Sequence, residues 1–399
     1  MKKIIYSFFI IGILFSCVNY NEEIKPEVQD YKTITSSNIQ TSLKVANLII
    51  DQVEFNEMYN NFYEDIKIKG EFNLYKNGIT LIENEIVQVQ VKGGFSSLLA
   101  LKTLGVKFDE TYNNESRKLI NPKKMSFHSL DKVKAFRFRN SGSDFKDTML
   151  KDISYTKLAI DAGLNLDLMY TEQMVVFVND VFLGIMNFRT ESNTNGMSGL
   201  YGVSNSEITL AKVGGNGFLE KKDGDFDRID KLMEAIANEN YNYLSKEIDI
   251  NNFIDYMIFE SYLGNRDWPH NNVRFFAVSD NPFRFVLFDL DLVATQKIDN
   301  SPMTFINNSI KNPITDLFNI MYSNKGFKNT YDLRFQSLMK SGVLNSSKLN
   351  AIITEYKSNI EHIMPTHINK YNAPKTFTDW YFKIDDLKND FLKRENYLN

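Results

Sequence analysis

A single cysteine, Cys17, stands among 399 residues, so no disulfide forms within the chain and any fold must rest on buried apolar surface. The composition supplies that surface. Hydrophobic residues make up 43% of the chain, with 31 Phe and 20 Tyr, and burying one large apolar side chain is worth about 1.5–3 kcal/mol. The position of the cysteine is equally informative. Lys2 and Lys3 precede an apolar run from Ile4 to Phe15, and Leu14-Phe15-Ser16-Cys17 has the pattern of a lipobox. The run is shorter than the roughly 20 residues of a membrane-spanning helix. Residues 1–16 are therefore expected to be a signal peptide, removed to leave a lipid on Cys17. This predicts an extracytoplasmic protein anchored to a bacterial membrane, at the outer membrane or the cell surface. Residues 17–37 are polar, with Glu22, Glu23 and Pro26, and read as a tether.

The net charge of -4 gives no basic footprint for nucleic acid, which is excluded as a partner. About 380 residues remain after cleavage, room for two lobes of ordinary size. From Lys44 to Val91, short β-type runs separated by turns predict an antiparallel sheet, with Lys76-Asn77-Gly78 as one turn. Lys134 to Arg139 alternates polar and apolar residues, and Gln173–Val178 with Val181–Phe188 frames Asn179-Asp180 as a hairpin turn. A helix is expected over Asp152–Ala162. Lys212–Gly224, rich in Gly and Lys, reads as a flexible connection, after which Phe226–Ala237, Asn252–Leu263 and most of Leu317–Leu398 have helical spacing. The expected organisation is α+β: a β-rich lobe over 38–200 and a mainly helical lobe over 201–399.

The chemistry gathers in the second half. A buried helix ends at Gly264 and delivers Asn265-Arg266-Asp267-Trp268-Pro269-His270-Asn271-Asn272 as a loop. Two strands follow, the second ending in Asp289-Leu290-Asp291. Residues two apart on a strand share a face, so the two carboxylates are expected to converge. Convergent carboxylates repel unless a cation lies between them, and oxygen donors suit Mg²⁺ or Mn²⁺. Helix, Asp-x-x-x-x-Asn, two strands, metal Asp is also the order of a protein-kinase catalytic loop, in which Asp267 is the base and Asn272 a metal ligand. The spacing alone fits a turn-rich loop equally well.

Four blocks, in order, resemble the spore coat protein H (CotH) kinase-like family: Phe136-Arg137-Phe138-Arg139-Asn140-Ser141-Gly142-Ser143-Asp144; Val176-Phe177-Val178-Asn179-Asp180-Val181-Phe182-Leu183-Gly184-Ile185; Phe253-Ile254-Asp255-Tyr256 through Gly264 to Asn272; and Phe288-Asp289-Leu290-Asp291. Met364-Pro365-Thr366-His367-Ile368 is similar to the family's C-terminal helix region. The resemblance spans about residues 45–395. It implies an atypical, two-lobed protein-kinase-like fold that moves phosphate from ATP to Ser or Thr of a protein acceptor with Mg²⁺ or Mn²⁺. Asp267 then corresponds to the catalytic Asp, Asn272 to its Asn, and Asp289 or Asp291 to the metal Asp. Lys92-Gly93-Gly94-Phe95-Ser96-Ser97 with Lys102 is similar to a family block that steadies phosphates, and Glu191 matches a Glu that pairs the lysine. Two departures stand out: Leu292-Val293 replace an aromatic residue and Gly, and Lys92 replaces the usual Arg. They leave open a catalytically inactive binding lipoprotein, and a metal-dependent hydrolase is a third reading. No Gly-x-Ser-x-Gly is present, Lys212–Gly217 is not a phosphate loop, and the four His lack metal-ligand spacing.

Overall fold

Period-two runs in the first half close on themselves in the computed structural model, which describes residues 28–108, 133–215, 217–293 and 301–398. The signal peptide, Cys17 and most of the tether lie outside the described residues. Strands β1 (Lys44–Ile50), β2 (Lys67–Lys76), β3 (Ile79–Lys92), β4 (Thr103–Lys107) and β5 (Ala135–Arg139) follow in order. After the two-residue β6 (Asp167–Leu168) come β7 (Thr171–Val178) and β8 (Val181–Thr190). All but β6 form a closed barrel in the order β1-β2-β3-β4-β5-β8-β7. The expected antiparallel ladder is present, but the seam between β1 and β7 is parallel, Leu48 beside Val178. Asn179 finishes that seam by mimicking a strand: its Oδ1 accepts from Ile50 N and its Nδ2 donates to Ile50 O, both at 2.8 Å. Closure removes sheet edges and leaves an interior of Phe72, Phe136, Phe138 and Phe188, with the Phe136 and Phe188 rings stacked at 4.7 Å.

Two expectations fail within these runs. A helix, α1 (Gln52–Asn60), interrupts the strands, because Asp51 caps it by accepting from Val53 N and Glu54 N while Phe55 and Met58, three apart, are buried. The Gly- and Lys-rich connection is instead a hairpin of β9 (Ile208–Val213) and β10 (Leu219–Asp223). Its glycines form the turn, and Lys221 and Lys222 keep an edge strand in water. With β11 (Val273–Val278) and β12 (Arg284–Leu287) it forms a second sheet, β10-β9-β11-β12-β6. β6 therefore carries the first half of the chain into this sheet. α2 (Lys151–Asp161) also reaches the second half of the chain, its Asp152 accepting from Leu290 N just past β12 at 2.9 Å.

The helices that follow are α3 (Thr194–Tyr201), α4 (Phe226–Ala237), α5 (Tyr241–Glu247) and α6 (Ile250–Leu263), then α7 (Pro302–Asn307), α8 (Pro313–Ser323), α9 (Lys325–Ser341), α10 (Ser346–Ile360), α11 (Met364–Tyr371) and α12 (Phe377–Leu398). The chain is thus a mixed α+β protein. α6 is its central post: every residue from Asn252 to Leu263 is buried, Asp249 caps its start through Asn252 N, and Gly264 at φ 64° ends it. A helix buried all round must be apolar on most faces, as this one is. His367 on α11 is also buried. Its Nδ1 accepts from Ile185 N at 3.1 Å, and burial lowers its pKa to about 3, so it stays neutral. Among the described residues no helix is long and apolar enough to cross a membrane.

Candidate active site

Phe and Arg alternate along β5, so Phe136 and Phe138 fill the barrel while Arg137 and Arg139 point out of it. Across the ladder Arg137 lies directly opposite Arg189 of β8. Like charges opposed across strands destabilise a sheet unless anions intervene, and here they do. Glu191 takes Arg137, with Nε to Oε1 at 2.8 Å and Nη2 to Oε2 at 2.6 Å. Asp152 takes Arg189 and lies 3.6 Å from Arg139 Nε. Arg274 of β11 adds a fourth guanidinium, bonded to Ser192 and lying 5.1 Å from the centre of the Phe288 ring. Burial and the nearby Arg137 lower its pKa to about 10. One wall of a cleft of about 370 Å³ is formed by these four arginines, with Gly93, Gly94 and Ser96 at its lip.

A second wall, in contact with the first at Arg139, carries the carboxylates. Asp267, Asn272, Asp289 and Asp291 all line the same cleft. The 265–272 loop is held at its start by a buried Glu260, which burial pushes up to about 8 and which accepts from Asn265 Nδ2 at 2.9 Å. Arg266 N donates to Leu292 O at 3.3 Å, tying this loop to the segment after Asp291. Asn272 Nδ2 donates to Asp267 Oδ2 at 3.3 Å. Burial, then the charge of Asp289, raises the Asp267 carboxyl above its ordinary value.

Asp289 and Asp291 converge, but not because they share a strand face. β12 ends at Leu287, Asp289 takes a left-handed conformation at φ 65°, and Leu290–Leu292 is a 3-10 turn. That turn aims both carboxylates at one nitrogen, Nη2 of Arg139, with Asp291 Oδ2 at 2.9 Å and Asp289 in closer contact. Ser143 N also donates to Asp291 Oδ2 at 2.7 Å. Gly142, at φ +57°, is required there: a Cβ would lie 1.9 Å from Asp291 Oδ2. The cation between the carboxylates is thus a guanidinium. Burial opposes the charge on Arg139, yet Asp289, Asp291 and Asp152 together raise its pKa; Asp289 is held below its ordinary value against its own burial by Arg139 and Arg189. Asp291, desolvated and beside Asp289, is pushed up to about 7.

The two lysines behave differently from the acids. Lys102 does not line the cleft. Its ammonium donates to Ser97 O at 2.7 Å and Leu99 O at 3.2 Å beneath the Phe62 ring, bracing the turn Phe95–Leu98 behind the glycines. Lys92 packs its stem on Gly105 and lies outside the cleft lining, where desolvation lowers its pKa against the pull of Glu191. Glu191 does reach the cleft, paired to Arg137 in place of either lysine. The arginines were not singled out in the sequence, although the Lys-Ala-Phe-Arg-Phe-Arg alternation already set Arg137 and Arg139 on one face.

The donor chemistry of this cleft is of the kind that the sequence implied: Asp289 and Asp291 are hard-oxygen donors such as Mg²⁺ or Mn²⁺ takes, directed at one point that Arg139 fills. Among the described residues no group of three or more His, Cys, Asp or Glu is arranged to hold a metal ion. Arg139 Nε and Arg189 Nη2 are buried without hydrogen-bond partners among the described residues, Arg139 Nε lying 3.6 Å from Asp152.

Residues 89–398 match the family model described as CotH kinase protein. No curated protein matches the chain. A crystal structure of the golgi casein kinase is similar at a TM-score of 0.28 and 9% identity, over 86% of this chain and 76% of that one, too slight a likeness to carry an argument.

Proposed function

The chain belongs to the CotH kinase protein family, and from that premise we propose that it is an atypical, two-lobed protein kinase, lipid-anchored through Cys17 outside the cytoplasm, which transfers phosphate from ATP to Ser or Thr of a protein acceptor with Mg²⁺ or Mn²⁺. The observation that supports it best is the pairing of four guanidiniums with a wall of acids in one cleft. Arg137, Arg139, Arg189 and Arg274 would hold the phosphates, helped by the backbone N–H groups of Gly93 and Gly94, while Asp289, Asp291 and Asn272 would hold the cation. A bound divalent cation would neutralise charge developing on the transferred phosphate. Asp267 sits apart from Arg139, and its raised pKa suits a group that takes the proton of the acceptor hydroxyl on its Oδ. Asn272 orients that carboxylate by donating to its Oδ2.

One observation favours a second reading, a binding lipoprotein without catalysis: Arg139 occupies the point where a cation would bind. Labelled ATP with Mg²⁺ or Mn²⁺ separates the two. The kinase reading expects label on Ser or Thr, on the protein itself or an added acceptor, with Asp267→Asn lowering transfer by about 10²–10⁴-fold at an unchanged melting temperature. Absence of transfer, together with absence of any ATP-dependent stabilisation, would establish the second reading.

A further inference from the structure

A second cavity, of about 710 Å³, lies outside the barrel between its β1–β3 face and the segment from Ser36 to Thr41. Its volume falls within the range of about 300–1,000 Å³ usual for small-molecule sites. All of its lining residues but Asp180 precede residue 89, where the family match begins.

The alternation of β2 builds its floor. Phe72 and Leu74 turn into the barrel, while Asn73 and Tyr75 turn out beneath the arching segment. Asn73 faces Asn47 of β1 across the ladder. Asn47 is satisfied within the protein: Nδ2 donates to Asp180 Oδ1 at 2.9 Å, and Oδ1 accepts from Asp180 N at 3.2 Å. Asn73 is not. It is only 4% exposed and its Oδ1 accepts from Asn84 N at 2.9 Å, yet its Nδ2 has no partner among the described residues. An amide with idle donors at the floor of an open cavity is free to bond water or a ligand that enters it. Beside it, Tyr75 offers a half-exposed ring and a hydroxyl without a partner, close enough to Asp180 and Glu83 for both to raise its pKa after burial has done so.

The lining selects the ligand. No described lining residue is Lys or Arg, and two are carboxylates, so phosphates and other polyanions are disfavoured. Amides and hydroxyls supply donors and acceptors at close intervals, and the carboxylates accept more. The Tyr75 ring gives a flat apolar surface with a polar edge. A neutral sugar presents both faces that this surface needs, hydroxyls around its rim and C–H groups on its plane. We propose that this groove is a binding site for a neutral oligosaccharide, recognised by the Asn73 amide, the Tyr75 ring and the carboxylates of Asp180 and Glu83. It is separate from the kinase cleft and does not depend on that reading.

The test is calorimetric titration of the detergent-purified full chain with maltohexaose, cellohexaose and chitohexaose, and with heparin as an anionic probe. At least one neutral hexasaccharide is expected to bind with a Kd in the range of about 1 μM to 1 mM. Tyr75→Ala and Asn73→Asp should each weaken it at least about tenfold, a loss of roughly 1.4 kcal/mol, while Tyr75→Phe keeps most of the affinity and Asp267→Asn all of it. Melting temperatures confirm that each variant is folded, and Glu83→Gln on the exposed rim serves in place of one that is not. The proposal is overturned if no neutral probe binds, if heparin alone binds, or if binding persists unchanged in folded variants.

Discussion

The two walls of the cleft are built by opposite means. The arginine wall is regular: strand pairing fixes Arg137, Arg139 and Arg189 in a row, and the phenylalanines on the other face anchor that row in the barrel. The acidic wall is irregular, made of a loop after α6 and a left-handed residue before a 3-10 turn. A ladder holds charge at fixed spacing and is costly to rearrange, whereas turns allow side chains to converge on one point. The walls meet at Arg139, which the ladder supplies and the turn grips. The difference suggests a division of labour, with the rigid wall receiving phosphate and the convergent wall receiving a cation.

Breaking the contact between the walls should have the largest effect. Arg139→Gln leaves Asp289, Asp291 and Asp152 facing one another in a buried site, and loss of one partner from a buried ion pair costs about 3–5 kcal/mol. Chemical denaturation in chelator reads that loss. Mn²⁺ should return part of it, about 2.7 kcal/mol at a hundredfold excess over Kd, and should stabilise the variant more than the wild type, in which the guanidinium competes. Equal stabilisation of both proteins, or none, would mean that these carboxylates are not a cation site.

How far each wall was legible follows from the same contrast. The acids were found because Asp-x-x-x-x-Asn and Asp-x-Asp are local patterns, although their convergence was ascribed to a strand face that ends at Leu287. The arginines were equally visible in the alternation of β5, but their meaning depended on Arg189, 52 positions beyond Arg137 along the chain and adjacent only through the β5–β8 ladder. Lys102 misled for a physical reason. A lysine near glycines suggests phosphate, and only tertiary packing shows that its ammonium turns back onto Ser97 O and Leu99 O. The barrel's closure through a parallel β1–β7 seam left no local trace, and the brief α1 was hidden among β-type residues whose spacing at Phe55 and Met58 is nonetheless helical.

A pH titration sharpens the view of the acidic wall with a smaller effect. Asp291 is raised from 3.8 to about 7, and Glu260 from 4.5 to about 8. Groups raised on folding bind more protons in the native state, so their contribution is complete below the unfolded values and is lost as pH rises through the folded ones. Metal-free protein should therefore lose stability progressively from about pH 4, near the unfolded values, to about pH 8, where the higher folded value lies. Asp291→Asn should flatten the part below about pH 7, and Glu260→Gln the part that extends to about 8. Cation binding needs the ionised carboxylate, so stabilisation by Mn²⁺ should grow over the same interval. A wild-type profile that is flat, or that rises with pH, would place the ionised Asp291 in a far better solvated site than this turn provides.

The smallest effect belongs to Lys102, where phosphate binding and bracing make opposite predictions. Its ammonium is 4.1 Å from the centre of the Phe62 ring and 5.4 Å from that of Tyr59, while Tyr59 OH itself accepts from Lys102 N at 2.9 Å and donates to Ala100 O at 3.0 Å. These contacts form a closed local set behind the Phe95–Leu98 turn. Lys102→Met keeps most of the apolar stem and removes the donors, leaving Ser97 O and Leu99 O short of partners at a cost of about 1–2 kcal/mol. For a chain of this size, with an unfolding entropy of about 2 cal/mol/K per residue, that lowers the melting temperature by only about 1–2 °C. ATP affinity should fall only as far as the loosened Gly93–Ser96 lip allows, by less than tenfold. A variant that melts like the wild type yet loses ATP by more than that would return Lys102 to the phosphates, and would mean that the lip closes over nucleotide with the lysine turned inward.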